Sequence, residues 1–248
     1  PTPLAAAPSA PAPGDPGPGR AGGRTAAGAC TPGRFCALVD NLGHVAVLRG
    51  GSWSTPRSLT TPPGGAGVPG AALVQTGRPG MACASATSCT AVVGTAVATW
   101  DGARWTTAPS PFGAAGATGD TAVACPGADR CLIVHGTSVS VGSGGSWSTP
   151  RFIDGYGSLD AISCPTVDFC LAADAGGAVV TLAGGSWSSP RRVVPYPSGY
   201  RADGTSASCP TAQFCMVITG DRDYATYQGP GPLTPPTTTP PAAPPPAA

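Results

Sequence analysis

Ten cysteines fall into five pairs, each with five residues between its members: Cys30/Cys36, Cys83/Cys89, Cys125/Cys131, Cys164/Cys170 and Cys209/Cys215. A tryptophan keeps step with them, since Trp53, Trp105, Trp147 and Trp187 lie 17, 16, 16 and 17 residues after the second cysteine of their pairs. Together these mark an internal repeat of roughly forty residues, and such a period restricts a chain to solenoids, propellers or arrays.

Composition narrows the choice. All 13 basic residues are Arg and all 12 acidic residues are Asp. Lys and Glu, which favour helix, are absent, while Val, Thr, Gly and Pro abound. The length suits one large all-β domain. A formal net charge of +1 supplies no field to draw in nucleic acid or an anionic membrane surface. No stretch reaches the ~20 apolar residues that span a bilayer. Evenly paired cysteines predict an oxidising, extracytoplasmic setting, secreted or tethered at the cell surface. The chain opens on Pro1 rather than Met, and a preceding portion that tethers the domain is expected.

Residues 1–23 carry seven prolines and residues 230–248 carry nine. Both stretches are too poor in apolar bulk to offset ordering entropy, so 1–23 and 234–248 read as disordered proline-rich linkers flanking a domain at 24–233. Within the domain the fourth repeat is clearest. A short strand runs into Cys164; a tight loop with Pro165 and Asp168 returns to Cys170; two further strands end at turns; Trp187 opens a last strand that carries Pro190. Pro56, Pro150 and Pro190 share that position, and proline, lacking a ladder donor, belongs on an outer edge. Four strands per repeat is the plan of a propeller blade, so the expected fold is an all-β propeller of about five blades. The stretch Thr60–Gly80 lengthens the first period and reads as a surface loop. The fifth repeat is irregular, with Pro232 where its tryptophan should stand.

The pattern Ser/Ala-Cys-Pro-x4-Cys, a Gly turn, then Gly-Gly-x-Trp-Ser/Thr resembles a disulfide-bearing propeller repeat of secreted and membrane-tethered actinobacterial proteins. It is more distantly similar to Asp-box (BNR-type) repeats, which Asp101-Gly102-Ala103-Arg104-Trp105 approaches most closely. The resemblance covers residues 24–233. It implies the extracytoplasmic sensor half of a bacterial serine/threonine kinase, although this chain holds no kinase motif. An Ala-, Gly-, Pro- and Arg-rich composition suits the high-GC genome of such a source.

Each cysteine pair is expected to form a local structural disulfide. Pairing between repeats is conceivable, but five identical gaps make the local solution the simplest. Zinc is disfavoured, because the gap is wide and only His44 and His135 are at hand; redox chemistry favours a two-residue gap. Trp53, Trp105, Trp147 and Trp187 are expected to fasten hairpins and pack between blades. Trp100 departs from the repeat and is the candidate exposed aromatic for a ligand. Arg57, Arg151 and Arg191 occupy one position in their repeats, followed by Arg192. They read either as solvated edge charges or as a ring for an anionic ligand. Asp40 and Asp174 share a turn position and read as turn chemistry. Asp221, Arg222 and Asp223 hint at a Ca²⁺ loop but lack a ladder of carboxylates.

No catalytic set is evident. Paired carboxylates of the glycosidase kind are not recognisable, the tyrosines have no partner set, and both histidines look isolated. The expectation is therefore a monomeric, non-catalytic binding or sensor module without cofactor or metal. It would take an extracellular glycan or peptide on one propeller face and the Thr60–Gly80 loop. The rival readings are a sialidase-like catalytic propeller acting on glycans and a passive spacer or adhesion scaffold.

Overall fold

The computed structural model describes residues 26–60, 70, 73–143, 145–193, 205–219 and 224–228. The expected tails and Asp221–Asp223 lie outside them. Five antiparallel sheets follow one another along the chain, one per repeat. The first comprises Ala26–Thr31, Phe35–Asp40, His44–Arg49, Ser52–Trp53 and Arg57–Ser58. The second comprises Gly80–Ser85, Ser88–Val93, Ala96–Trp100 and Trp105–Pro109. A short 3₁₀ turn, Gly113–Ala117, leads to the third: Thr121–Gly127, Arg130–His135, Ser138–Ser143, Ser146–Trp147 and Arg151–Phe152. The fourth is Leu159–Thr166, Phe169–Asp174, Ala178–Ala183, Ser186–Trp187 and Arg191–Arg192. The fifth contributes Ser206–Thr211, Phe214–Ile218 and Tyr224–Gln228. The chain divides into two compact bodies, Pro1–Ile133 with Ser140–Pro150, and Val134–Val139 with Arg151–Ala248.

All five disulfides are local, joining the first two strands of each sheet with Cα atoms 3.9 to 4.1 Å apart. Cys30 stands directly opposite Cys36, and Cys83 opposite Cys89. In the fourth and fifth sheets the register shifts at the first cysteine, between Ser163 and Thr166 and between Ser208 and Thr211. Pro165 and Pro210 sit in those shifts, where a residue without an N–H is tolerated. On the chain-entropy estimate, closing so short a loop stabilises the fold by about 2 kcal/mol per bridge.

The proline-bearing outer strand differs from expectation. It is broken in two in the first, third and fourth sheets, and both pieces pair with the third strand. Pro56, Pro150 and Pro190 lie in the break. A serine bridges it: Ser54 donates its N–H to the Val47 carbonyl at 2.8 Å, and its hydroxyl accepts from the Val47 N–H at 3.1 Å. Ser148 with Val141 and Ser188 with Thr181 repeat the device. A side-chain oxygen thus stands in for the carbonyl that the interrupted ladder lacks.

Apolar residues of the central strands form the cores. In the first body Phe35, Ala37, Val39, Val45, Ala91, Val93, Ala98 and Trp100 cluster, and Val92, Val97, Val123 and Ile133 form a second group. In the second body Phe169, Leu171, Val179, Cys215 and Val217 do the same. The segment read as a surface loop is corrected in its later part. Leu73 and Gln75 are 2% and 1% exposed, while residues 61–69 and 71–72 lie outside the described set. Gln75 exchanges hydrogen bonds with Asn41, its N–H donating to the Asn41 carbonyl at 2.9 Å and its own carbonyl accepting from Asn41 Nδ2 at 3.2 Å. Its amide nitrogen donates to the carbonyls of Arg78 and Gly119 and to Thr121 Oγ1, and its amide oxygen accepts from the Gly94 N–H. One buried side chain therefore satisfies backbone groups beside three sheets.

Replacing it with an isosteric apolar residue strands those buried partners, which cost about 1–3 kcal/mol each when left unpaired. Gln75→Leu is expected to lower the urea unfolding midpoint, with a loss of at least ~2 kcal/mol in unfolding free energy. An unchanged midpoint would show that water reaches the site.

Candidate functional site

The register explains where the aromatic residues go. Trp100 stands opposite Cys89, and Phe35 immediately precedes Cys36. Phe35 and Trp100 stack at 6.5 Å, Trp105 leans on Trp100 at 5.5 Å, and the Arg49 guanidinium lies over both the Phe35 and the Trp100 rings at 5.5 and 5.1 Å. Trp100 is 8% exposed and donates its indole N–H to the Ala86 carbonyl at 3.1 Å. The expectation of an exposed Trp100 is corrected: the residue opposite the second cysteine faces inward, toward the phenylalanine of the preceding sheet. Arg49 also donates to the Ala86 and Gly102 carbonyls. The same arrangement recurs in the second body, where Tyr227 stands opposite Cys215 and stacks on Phe169 at 5.4 Å.

Between the second and third sheets the two aromatic positions hold Ser88, just before Cys89, and Gly142, opposite Trp147. A cleft of about 260 Å³ opens there, lined by Ser88, Thr90, Trp100, Asp129, Gly142 and Trp147. Gly142 is required by close approach, because a Cβ would meet the Trp147 ring at 2.8 Å.

A second cleft, about 330 Å³, lies between the first and second sheets and is lined by Ser54, Arg57, Ser58, Trp100, Arg104 and Trp105 among others. Arg57 is exposed on the broken outer strand opposite Val45. Arg104 projects from the Asp-box-like turn. There Asp101 Oδ1 accepts the N–H groups of Ala103 and Arg104 at 2.8 Å each, and Arg104 Nε sits 3.5 Å from Asp101 Oδ2. Those backbone donors hold the Asp101 carboxyl below its usual range. The cleft thus joins two guanidiniums, two serines and two indoles. Its floor is hydrophobic and its rim suits an anion.

Of the residues singled out in the sequence, Arg57 and Trp100 come together here. Arg151 and Arg191 are exposed at the matching register position of their own sheets, opposite Val139 and Val179. Trp53, Trp105, Trp147 and Trp187 are half-buried at the start of the outer strand, and Trp105 and Trp147 pack on core clusters. Arg49 and Arg104 were missed. Their only sequence signal is position: Arg49 precedes Gly50-Gly51 and Arg104 precedes Trp105.

The turn aspartates behave as turn chemistry. Asp40 Oδ1 accepts from the Leu42 and His44 N–H groups at 3.0 and 2.8 Å, and Asp174 Oδ1 accepts from Ala178 at 2.7 Å. His44 is not isolated, since its Nδ1 lies 2.9 Å from Asp40 Oδ2. Asp174 is 0% exposed. Burial chiefly, and also the negative charge of Asp154, push its carboxyl up to about 6, against the opposing effects of the Ala178 N–H and Arg192.

No protein-family model and no curated protein matches the chain. Solved structures do. It is similar to "YCF48 bound to D1 peptide" at 14% identity and a TM-score of 0.52, covering 84% of this chain and 64% of that one. It is similar to "Structure of U3-55K" at 13% and 0.60, and to "Crystal structure of RRP9 WD40 repeats" at 14% and 0.59, each covering 81% of this chain and 61% of the other. The chain spans less than two thirds of each of these structures. With the repeated disulfide-closed sheets, these likenesses make the fold a β-propeller of about five blades.

Two outcomes follow from the geometry. Ser88→Phe supplies one of the two missing rings and is expected to raise the melting temperature, as cavity filling commonly adds about 0.5–2 kcal/mol; a fall on calorimetry would mean the cleft has no room for the ring. The raised carboxyl of Asp174 means that the folded protein binds the extra proton between roughly pH 4, the unfolded value, and pH 6. Its contribution to stability therefore rises as pH falls through that window. In chelator, Asp174→Asn is expected to exceed the wild type in melting temperature at pH 8, with the difference shrinking toward pH 4. A pH-independent difference would reject the titration.

Proposed function

We propose that this chain is a non-catalytic binding module working in an extracytoplasmic setting, and that the cleft between its first and second blades takes an acidic peptide segment. The observation that carries the reading is the pairing of Arg57 and Arg104 on the rim of a cleft floored by Trp100 and Trp105. Arg57 is exposed, and the Arg104 side chain is 75% exposed. Both can turn to a carboxylate, while the half-buried Trp105 indole covers its apolar neighbours. The similar solved structure "YCF48 bound to D1 peptide" supports a peptide over a glycan. Five disulfides suit an oxidising compartment. A tethered sensor role, as the outer half of a serine/threonine kinase, accords with the sequence resemblance. The non-catalytic reading draws support from the buried pair Asp154 and Asp174, which at 1% and 0% exposure lie beyond a substrate's reach.

Calorimetric titration tests this with an Asp/Glu-rich decapeptide, its Lys-rich counterpart and a neutral chito-oligosaccharide. The acidic peptide is expected to bind, more weakly as salt rises, and Arg57→Ala/Arg104→Ala to weaken it at least about tenfold, the scale of losing charge-assisted hydrogen bonds, with an unchanged melting temperature. Equal binding by the double variant, or preference for the oligosaccharide, would reject the reading.

A further inference from the structure

We propose that Asp154 and Asp174 hold a hard divalent cation of the Ca²⁺ class through their Oδ2 atoms, a site independent of the peptide cleft. Both residues belong to the second body. In each, one carboxylate oxygen is committed to the backbone: Asp154 Oδ1 accepts the Tyr156 N–H at 3.1 Å and Asp174 Oδ1 the Ala178 N–H at 2.7 Å. The other oxygen of each, Oδ2, is buried with no hydrogen-bond partner. Leaving two buried carboxylate oxygens unsatisfied is costly, and such charges are normally paired or bound to metal.

The fold supplies its own comparison. Asp40 holds the same turn position in the first sheet, and its Oδ2 is engaged by His44 Nδ1 at 2.9 Å. In the fourth sheet Ala178 stands where His44 does, and the oxygen is left open. Room is kept beside it: a Cβ on Gly157 would fall 2.9 Å from Asp174 Oδ2, although the Gly157 backbone lies outside the left-handed region. A side chain there would have to displace the Asp174 carboxylate. Among the described residues, Arg192 is the cation whose charge acts on Asp174. Its guanidinium donates to the Gly176 carbonyl at 2.9 Å and lies over the Tyr156 ring at 5.5 Å. Two carboxylates against one guanidinium leave a net negative site. No group of three His, Cys, Asp or Glu gathers among the described residues, so backbone carbonyls and water would complete the shell, as hard cations accept. Donors that are all oxygen favour Ca²⁺ or Mg²⁺ over softer metals.

The test uses the purified chain after chelator treatment. Added Ca²⁺ is expected to raise the melting temperature by a few degrees and to give a binding isotherm. Tb³⁺ is expected to show luminescence sensitised by Tyr156. Asp154→Asn and Asp174→Asn should abolish both responses, whereas Asp40→Asn should leave them intact. Because the variants remove uncompensated charge, they should stay folded by circular dichroism in chelator. Two results overturn the proposal: no response of the wild type to Ca²⁺ or Mg²⁺, or an undiminished response in both variants.

Discussion

The interaction on which this structure rests is the disulfide across the first hairpin of each sheet. A strand pair has a side-chain period of two, so a slip of one residue would exchange its buried and exposed faces. Cys30 opposite Cys36 and Cys83 opposite Cys89 remove that freedom. The strand Phe35–Asp40 alternates between buried and half-buried accordingly, while Phe169–Asp174, buried throughout, shows how far inside the second strand of a blade can lie. Once the second cysteine is placed, the residue before it and the residue opposite it are placed too. Those two positions face the neighbouring sheet.

The surface departs from uniformity where the repeat varies at the positions so placed. Phe35 with Trp100, and Phe169 with Tyr227, close the space between sheets with stacked rings. Ser88 and Gly142 at the same positions leave it open. Asp40 finds His44; Asp174 faces Ala178 and keeps a bare oxygen. Arg57 sits on the same outer strand position as Arg151 and Arg191, and it gains a cleft because the Asp101 turn brings Arg104 and Trp105 beside it. A scaffold of identical units offers no address for a ligand. Single departures from identity create one.

Some of this was legible from spacing. Five equal cysteine gaps predict five hairpins and local bridges because a six-residue separation leaves little choice of partner. The Asp101–Trp105 turn was legible from its Asp and Gly. Trp100 was misread, since departure from a repeat looks like exposure, whereas register turned the ring inward. Gln75 was hidden in a proline- and glycine-rich stretch whose composition reads as loop. Its role depends on Asn41, Gly94, Gly119 and Thr121, which are far from it in sequence.

By itself the sequence determined the β-rich repeat, its blade-like strand plan, the pairing of its cysteines and the oxidising setting they imply. These are local consequences of spacing and residue type. Tertiary structure alone decided which side chains share a space: Arg57 with Arg104 over two indoles, Ser88 with Gly142, and Asp154 with Asp174 beside Gly157. Such encounters join residues of different turns and sheets, and the distances that give them chemical meaning exist only once the sheets have packed.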